Sequence, residues 1–230
     1  GNYLTRARAA QAARDIVGDT VFRLQGLVMA HGTGTPQNRT TESAIMSTVA
    51  KAMGVSDWRV SAIKSHTGHS LGAAGGDQLS ALLGVWDSGW IPGIGTIESV
   101  AEDVETDRLS FLLDNAPTNQ CAYSLVNSKG FGGNNATATV MSPAVSHSLL
   151  KGLHGGRALD AWQARFEATQ QRRQDIEDSR LSGDWQPLYR FNDGVLDDSD
   201  IEADLGKLKL GDVEISTNNR LMPSDWLLET

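Results

Sequence analysis

Three times within its first 135 residues this chain runs from an apolar stretch into a loop built almost wholly of glycine and small polar residues. The loops are His31-Gly32-Thr33-Gly34-Thr35, then Lys64-Ser65-His66-Thr67-Gly68-His69-Ser70-Leu71-Gly72-Ala73-Ala74-Gly75, then Asn127-Ser128-Lys129-Gly130-Phe131-Gly132-Gly133-Asn134-Asn135. Glycine admits dihedrals closed to other residues and lets the backbone approach a ligand closely. Between the loops the apolar period changes. Residues 5–17 are alanine-rich and read as a helix. Residues 21–30, with Val21, Phe22, Leu24, Leu27, Val28 and Met29, read as a mostly buried strand. A helix from 40 or 41 through 52 sets Ile45, Val49 and Met53 on one face. Residues 59–64 make a second strand, and a helix over about 70–86 is expected to bury Leu71, Leu79, Leu82, Leu83 and Trp86. Residues 91–97 are extended and 109–113 form a short strand. Strands over 121–128 and 136–141 are joined by the glycine turn. Strand, loop and helix in alternation specify an α/β sheet, which places its sites on loops leaving strand ends.

Pro143 marks a boundary, dividing the chain into 1–143 and an extension, 144–230. The extension opens with a helix over roughly 157–181, with Leu159, Trp162 and Phe166 as its apolar stripe. Residues 185–230 alternate short extended pieces with acidic turns such as Asp197-Asp198-Ser199-Asp200. The formal charge is −8, and residues 144–230 hold 10 basic against 16 acidic side chains. That balance argues against non-specific binding to nucleic acid, which needs a broad basic face. The single cysteine, Cys121, excludes an internal disulfide or a cysteine-built metal site. With no apolar run of 18 residues and no basic-then-apolar signal pattern, a cytoplasmic location without a membrane span is the expectation.

Taken singly, each loop has a plain reading. A loop histidine is usually a hydrogen-bonded structural residue, and residues 72–76 suit close helix packing. They lack the lysine of a phosphate loop. In order and together, the three loops resemble the β-ketoacyl synthase family over roughly residues 5–142. Glu42 falls eleven residues after His31, where that family has a glutamate. The resemblance implies the C-terminal half of the thiolase-like layered αβαβα fold, with a mixed sheet and an extra C-terminal tail. The tail resembles that of a variant among bacterial elongation synthases.

The implied chemistry is decarboxylative Claisen condensation of malonyl-carrier protein with an acyl thioester, in fatty-acid or polyketide synthesis. Negative charge develops on the thioester oxygen as the enolate forms, and two imidazole N–H donors stabilise it. His31 and His69 match that pair; His69, at the expected start of a helix, is expected to be neutral. Lys64 and Glu42 match the family's lysine–glutamate pair. Thr33 and Thr35 match the threonines that hold phosphopantetheine. Gly130 and Phe131 match the gate, with the Phe131 N–H in the oxyanion hole for the other thioester. The implied partners are acyl carrier protein, which delivers the phosphopantetheine, and a second copy in a homodimer. No metal or other cofactor of the chain's own is implied.

Two departures stand out. Asn38-Arg39 replaces the family's Gly-Asp, which makes Arg39 a candidate entrance contact for an acidic carrier. Lys129 takes the first aromatic place of Phe-Gly-Phe-Gly-Gly. The family's nucleophilic cysteine lies at an elbow in the N-terminal half, whereas Cys121 lies in an apolar strand, where a thiol is normally inert. The chain is therefore expected to depend on a missing N-terminal half carrying that cysteine, and to be inactive alone. A thiolase half would need a second reactive cysteine in the glycine turn, which has none. A non-catalytic partner resembling a chain-length factor, or a scaffold fragment, sits poorly with intact His31, Lys64 and His69.

Overall fold

The computed structural model describes residues 1–118, 120–186 and 191–218, with the Phe131 side chain outside the description. It comprises two compact units, 1–163 and 164–230. The first is built from α1 (Asn2–Val17), α2 (Asp19–Leu24), β1 (Gly26–Met29), α3 (Pro36–Ala52), β2 (Trp58–Ser61), α4 (Lys64–Thr67), α5 (Ala74–Ser88), β3 (Trp90–Ile91), β4 (Leu109–Phe111), β5 (Ala116–Pro117), β6 (Tyr123–Lys129), β7 (Asn135–Met141) and α6 (Pro143–His154). The division falls inside the next helix, α7 (Gly156–Ser182). Pro143, taken as a boundary from sequence, is the first residue of α6, capped by Ser142.

One mixed sheet organises this unit, in the order β4-β2-β1-β6-β7. β1 is parallel to β2 and β6, β2 is parallel to β4, and β6 and β7 are antiparallel. Successive residues of the buried strands face opposite sides. Val28, Val60 and Leu125 join Phe22, Met46, Ala50, Trp58 and Tyr123 in one core. Leu27, Met29 and Val126 join Leu82, Val85, Ile91 and Cys121 in the other. The sheet is thus covered on both faces, as its parallel centre requires. α1 contributes Ala9, Ala10 and Ala13, small enough for close helix–sheet approach. In the first core the Trp58 Nε1–H donates to Tyr123 Oη at 3.0 Å, and that hydroxyl donates to the Phe22 carbonyl at 2.8 Å. The Phe22 and Tyr123 rings stack at 5.2 Å, which adds about 0.5–1.5 kcal/mol to their burial.

Four expectations are corrected. Residues 19–24 form a helix, not the start of a strand, with Phe22 buried and Leu24 exposed; an apolar run alone does not separate a buried helix from a strand. α3 begins at Pro36, ahead of Thr40, because proline suits a first helical turn. The second strand stops at Ser61 and Lys64 opens a helical turn. Finally, α5 starts at Ala74 after a 3-10 turn over Leu71–Ala73. Leu82 is buried as expected, but Leu71, Leu79 and Leu83 are exposed, Leu71 by 72%.

In the second unit an antiparallel meander, β8 (Ile201–Asp204), β9 (Lys207–Leu210) and β10 (Val213–Ser216), has two distinct faces. Its register aligns Ile201, Leu210 and Val213 in one row and Ala203, Leu208 and Ile215 in the next. The other face carries the ion pairs Lys209–Glu202 and Lys207–Glu214. Residues 219–230, part of the expected run of extended pieces, lie outside the described residues.

Candidate active site

The parallel strands deliver the three glycine loops to one edge of the sheet. His31 follows β1, Lys64 follows β2, and Lys129 closes β6. His31, Thr33, Thr35, Lys64, His69, Lys129 and Gly130 all line one cavity of about 1270 Å³. Its other wall is apolar, from Met46, Val60, Ile94, Ile97, Val104 and Phe111.

The His31 and His69 rings meet edge to face, centroids 5.2 Å apart and planes at 81°. Each ring is oriented by a backbone amide. The Lys129 N–H donates to His31 Nδ1 at 3.3 Å, and the Leu71 N–H donates to His69 Nδ1 at 3.1 Å. A ring nitrogen that accepts carries no hydrogen, so in the neutral imidazole the hydrogen is on Nε2. Both rings therefore present an Nε2–H donor. Burial first, then the charge of Lys64, with smaller contributions from His69 and Lys129, outweighs Glu42 and pushes His31 down from 6.5 to about 4. The helix expected to start beside His69 begins at Ala74, five residues later, after the 3-10 turn over Leu71–Ala73. The Leu71 amide fixes that ring.

Glu42, on α3 and 3% exposed, is the hub beneath this pair. Its carboxylate accepts the His31 N–H at 2.8 Å, the Gly32 N–H at 3.0 Å, Asn38 Nδ2 at 2.9 Å and Asn127 Nδ2 at 2.9 Å. Arg6, fully buried on α1, completes the set at 3.4 Å. Burial alone would raise the carboxyl, but Arg6 and these donors together hold it below the usual range. Glu42 makes its direct ion pair with Arg6 and acts on Lys64 through its charge. The Lys64 Nζ is buried at the cavity with no hydrogen-bond partner among the described residues. Burial lowers its pKa, with Glu42 and Asp77 opposing. Sequence reasoning missed Arg6, although a signal existed: it lies on the same helical face as Ala9, Ala10 and Ala13. A charge on a buried helical face calls for a buried partner.

Residues 7–97 match the family model of the β-ketoacyl synthase C-terminal domain. Over 207 residues the chain is 41% identical to β-ketoacyl-[acyl-carrier-protein] synthase FabY of Pseudomonas aeruginosa, covering 88% of this chain and 32% of that protein. The crystal structure of the P. aeruginosa ketosynthase FabY superposes with a TM-score of 0.85 at 37% identity, covering 99% of this chain and 36% of that one. The chain carries the C-terminal domain of the β-ketoacyl synthases, over residues 7–97. It is similar to their C-terminal half and has the thiolase-like fold. A 3-oxoacyl-[acyl-carrier-protein] synthase 2 of Staphylococcus aureus is 40% identical over 132 residues, or 56% of this chain and 31% of the relative. The chain thus spans about a third of the length of these synthases. The FabY match, being longer than 143 residues, runs on into the C-terminal extension.

The positions where the chain departs from the synthase pattern are paired with one another or with near neighbours. Arg39 is held in a bidentate bridge to Asp103, both contacts at 2.9 Å. Asp103 answers the charge of Arg39, the candidate entrance contact, in a pair that stays exposed. Together with the Glu105 N–H on Ser43 Oγ at 3.1 Å, this bridge fastens the apolar cavity wall to α3. Lys129 Nζ donates to Asn38 Oδ1 at 2.7 Å. Thr33 and Thr35 bring their hydroxyls to 3.5 Å on the loop after His31. The Gly130 N–H is taken by the Asn134 carbonyl at 2.8 Å. Phe131 begins a 3-10 turn, Phe131–Gly133, but its side chain, and so the gate, lies outside the description. His66 is tied to the Gly93 carbonyl at 2.7 Å, apart from the histidine pair. Cys121 lies in the second core, its Sγ donating to the Tyr123 carbonyl at 3.4 Å.

Proposed function

We propose that this chain supplies the malonyl-handling half of a β-ketoacyl synthase acting in fatty-acid synthesis. The observation that carries the reading is the pair of Nε2–H donors on His31 and His69, each fixed by a backbone amide on Nδ1. In the proposed reaction, malonyl thioester on the phosphopantetheine of an acyl carrier protein loses carbon dioxide. The electron pair left behind forms an enolate whose oxygen accepts from both imidazoles. Each such donor is worth about 2.7–4 kcal/mol of barrier. The enolate carbon then attacks an acyl thioester held on cysteine, a C–C bond forms, the C–S bond breaks and the thiolate is released. Thr33 and Thr35 hold the phosphopantetheine arm. Lys64, whose Nζ has no hydrogen-bond partner among the described residues, lies at the cavity beside the malonyl end.

The cysteine comes from a partner half, as in the family resemblance. Support for such a partner lies on the 3-10 turn just beyond His69 and on α5 after it. Leu71, Leu79 and Leu83 are exposed there, and a Cβ added at Gly72, Gly75 or Gly76 would meet nothing within 4 Å. Large exposed apolar side chains beside bare glycines suit the close approach of another element. A homodimer of the complete synthase belongs to the same reading. The test is complementation. The chain alone should release no 3-ketoacyl thioester from acyl- and malonyl-carrier protein, and a cysteine-bearing N-terminal half should restore it. Turnover without that half sinks the division of labour. Failure with it, when the two halves bind each other, sinks the activity.

A further inference from the structure

Lys129 touches His31 by two routes. Directly, its backbone N–H reaches Nδ1 at 3.3 Å, long for such a bond. Indirectly, its Nζ donates to Asn38 Oδ1 at 2.7 Å, Asn38 Nδ2 donates to Glu42 Oε2 at 2.9 Å, and Glu42 Oε1 accepts the His31 N–H at 2.8 Å. The two routes form a closed circuit that starts on the histidine ring and returns to its own backbone. Both side-chain links in that circuit are charge-assisted, and the ammonium contact is the shorter of the two.

The circuit matters because the turn beyond Lys129 is pliable. Lys129 is the last residue of β6, paired only with Asn135, and Gly130 to Gly133 come next. Gly132 and Gly133 have φ of 77° and 84° and carry no side chain that could pack the turn in place. A single long bond from an amide at the edge of such a turn is poorly held. If it opens, Nδ1 is free to take the hydrogen, Nε2 becomes an acceptor, and the donor aimed into the cavity is lost.

We infer that Lys129 is a positioning residue for His31: its ammonium, clasped to Asn38, holds its own backbone N–H against Nδ1 and so keeps the hydrogen on Nε2. The consequence for catalysis rests on the proposed function; the positioning itself does not. The clasp is also selective about its acceptor. Asn38 offers a short bond to Nζ, while Thr41 Oγ1 lies at 3.4 Å and contributes little.

The test is made on this chain by nitrogen NMR of the histidine rings and hydrogen exchange of the residue-129 amide. Asn38→Ala cuts the clasp without removing a charge, Lys129→Met cuts it with one, and Lys129→Arg restores it. In both cutting variants the residue-129 amide should exchange at least tenfold faster. The His31 nitrogen shifts should move from a pure Nε2–H form toward a mixture. Lys129→Arg and Thr41→Val should leave both signals near the parent. Unchanged exchange and tautomer in a folded Asn38→Ala or Lys129→Met chain overturns the inference. A change in Lys129→Met alone also overturns it, because charge and not the clasp is then responsible. No readout depends on turnover, so failure here is distinct from failure of the proposed reaction.

Discussion

His31 and His69 stand edge to face at 5.2 Å, each with its Nδ1 committed to a backbone amide. Neither ring hydrogen-bonds the other through those nitrogens. The amides come from separate loops, Lys129 at the end of β6 and Leu71 ahead of α5. Only the folded sheet edge brings them together.

In a complete synthase, His31→Ala and His69→Ala should each slow malonyl decarboxylation by about 10²–10³. Glutamine at position 31 should retain more activity than alanine, since its amide N–H stands near the lost Nε2–H. The double alanine variant should fall short of the product of the single effects. Carbon dioxide release measures this step apart from acyl loading. Parental decarboxylation in both single variants would show that the rings are structural.

The pH dependence has a definite sign. His31 falls from 6.5 unfolded to about 4 folded, so between those values the unfolded chain binds the extra proton. Stability associated with this residue is full above about 6.5, declines as pH drops, and levels off below about 4. Thermal melts of the parent and of His31→Gln between pH 7 and 4 check it. The parent should lose more melting temperature than the variant across that window. Equal losses would place the folded pKa near its ordinary value.

The sheet edge was legible because three of the parallel strands, β1, β2 and β6, run into glycine-rich loops, and three such loops in one chain have to converge. What escaped reading has physical causes. Residues 19–24 carry apolar side chains at a spacing that serves either a short helix or a strand, and Gly18, with φ 81°, lets the helix start afresh. Leu71, Leu79 and Leu83 are plainly apolar, but a pattern records what is greasy, not what covers it. The Glu42–Arg6 and Arg39–Asp103 pairs join residues 36 and 64 positions apart, a separation no local spacing rule reaches. Lys129 read as a lost aromatic; its bond to Asn38, 91 residues away, turns two apparent departures into one contact.

Cys121 should resist modification. Burial raises its thiol pKa despite opposing contributions from Arg59, Trp86 and Tyr123. Iodoacetamide at pH 7.5 should label it only on unfolding, at a rate set by urea concentration. Cys121→Ala should leave complemented turnover within about twofold, while costing stability through a small cavity. Loss of turnover in a folded Cys121→Ala chain would make this thiol a candidate nucleophile again.

The buried Glu42–Arg6 pair yields the largest stability effect. Arg6 is 0% exposed, and its Nε and Nη1 have no partners among the described residues. Among the described residues its one ionic contact is Glu42, at 3.4 Å. Glu42→Gln removes the countercharge and turns an amide NH2 toward groups that are themselves donors, the His31 and Gly32 N–H among them. Removing one partner of a buried pair costs about 3–5 kcal/mol. Arg6→Met is milder, because Glu42 keeps four neutral donors; lost hydrogen bonding costs about 1–3 kcal/mol. The double variant should be more stable than the sum of the singles, since charge leaves together with its partner. The acid limb has the opposite origin to that of His31. Glu42 is held below its ordinary 4.5, so its contribution is complete above that value and disappears as pH falls through the folded pKa. Urea unfolding at pH 7 gives the coupling, and repeating it at successively lower pH should shrink the gap between parent and Glu42→Gln. A Glu42→Gln chain within about 1 kcal/mol of parent would mean that solvent reaches Arg6 and that the hub beneath His31 is not ionic.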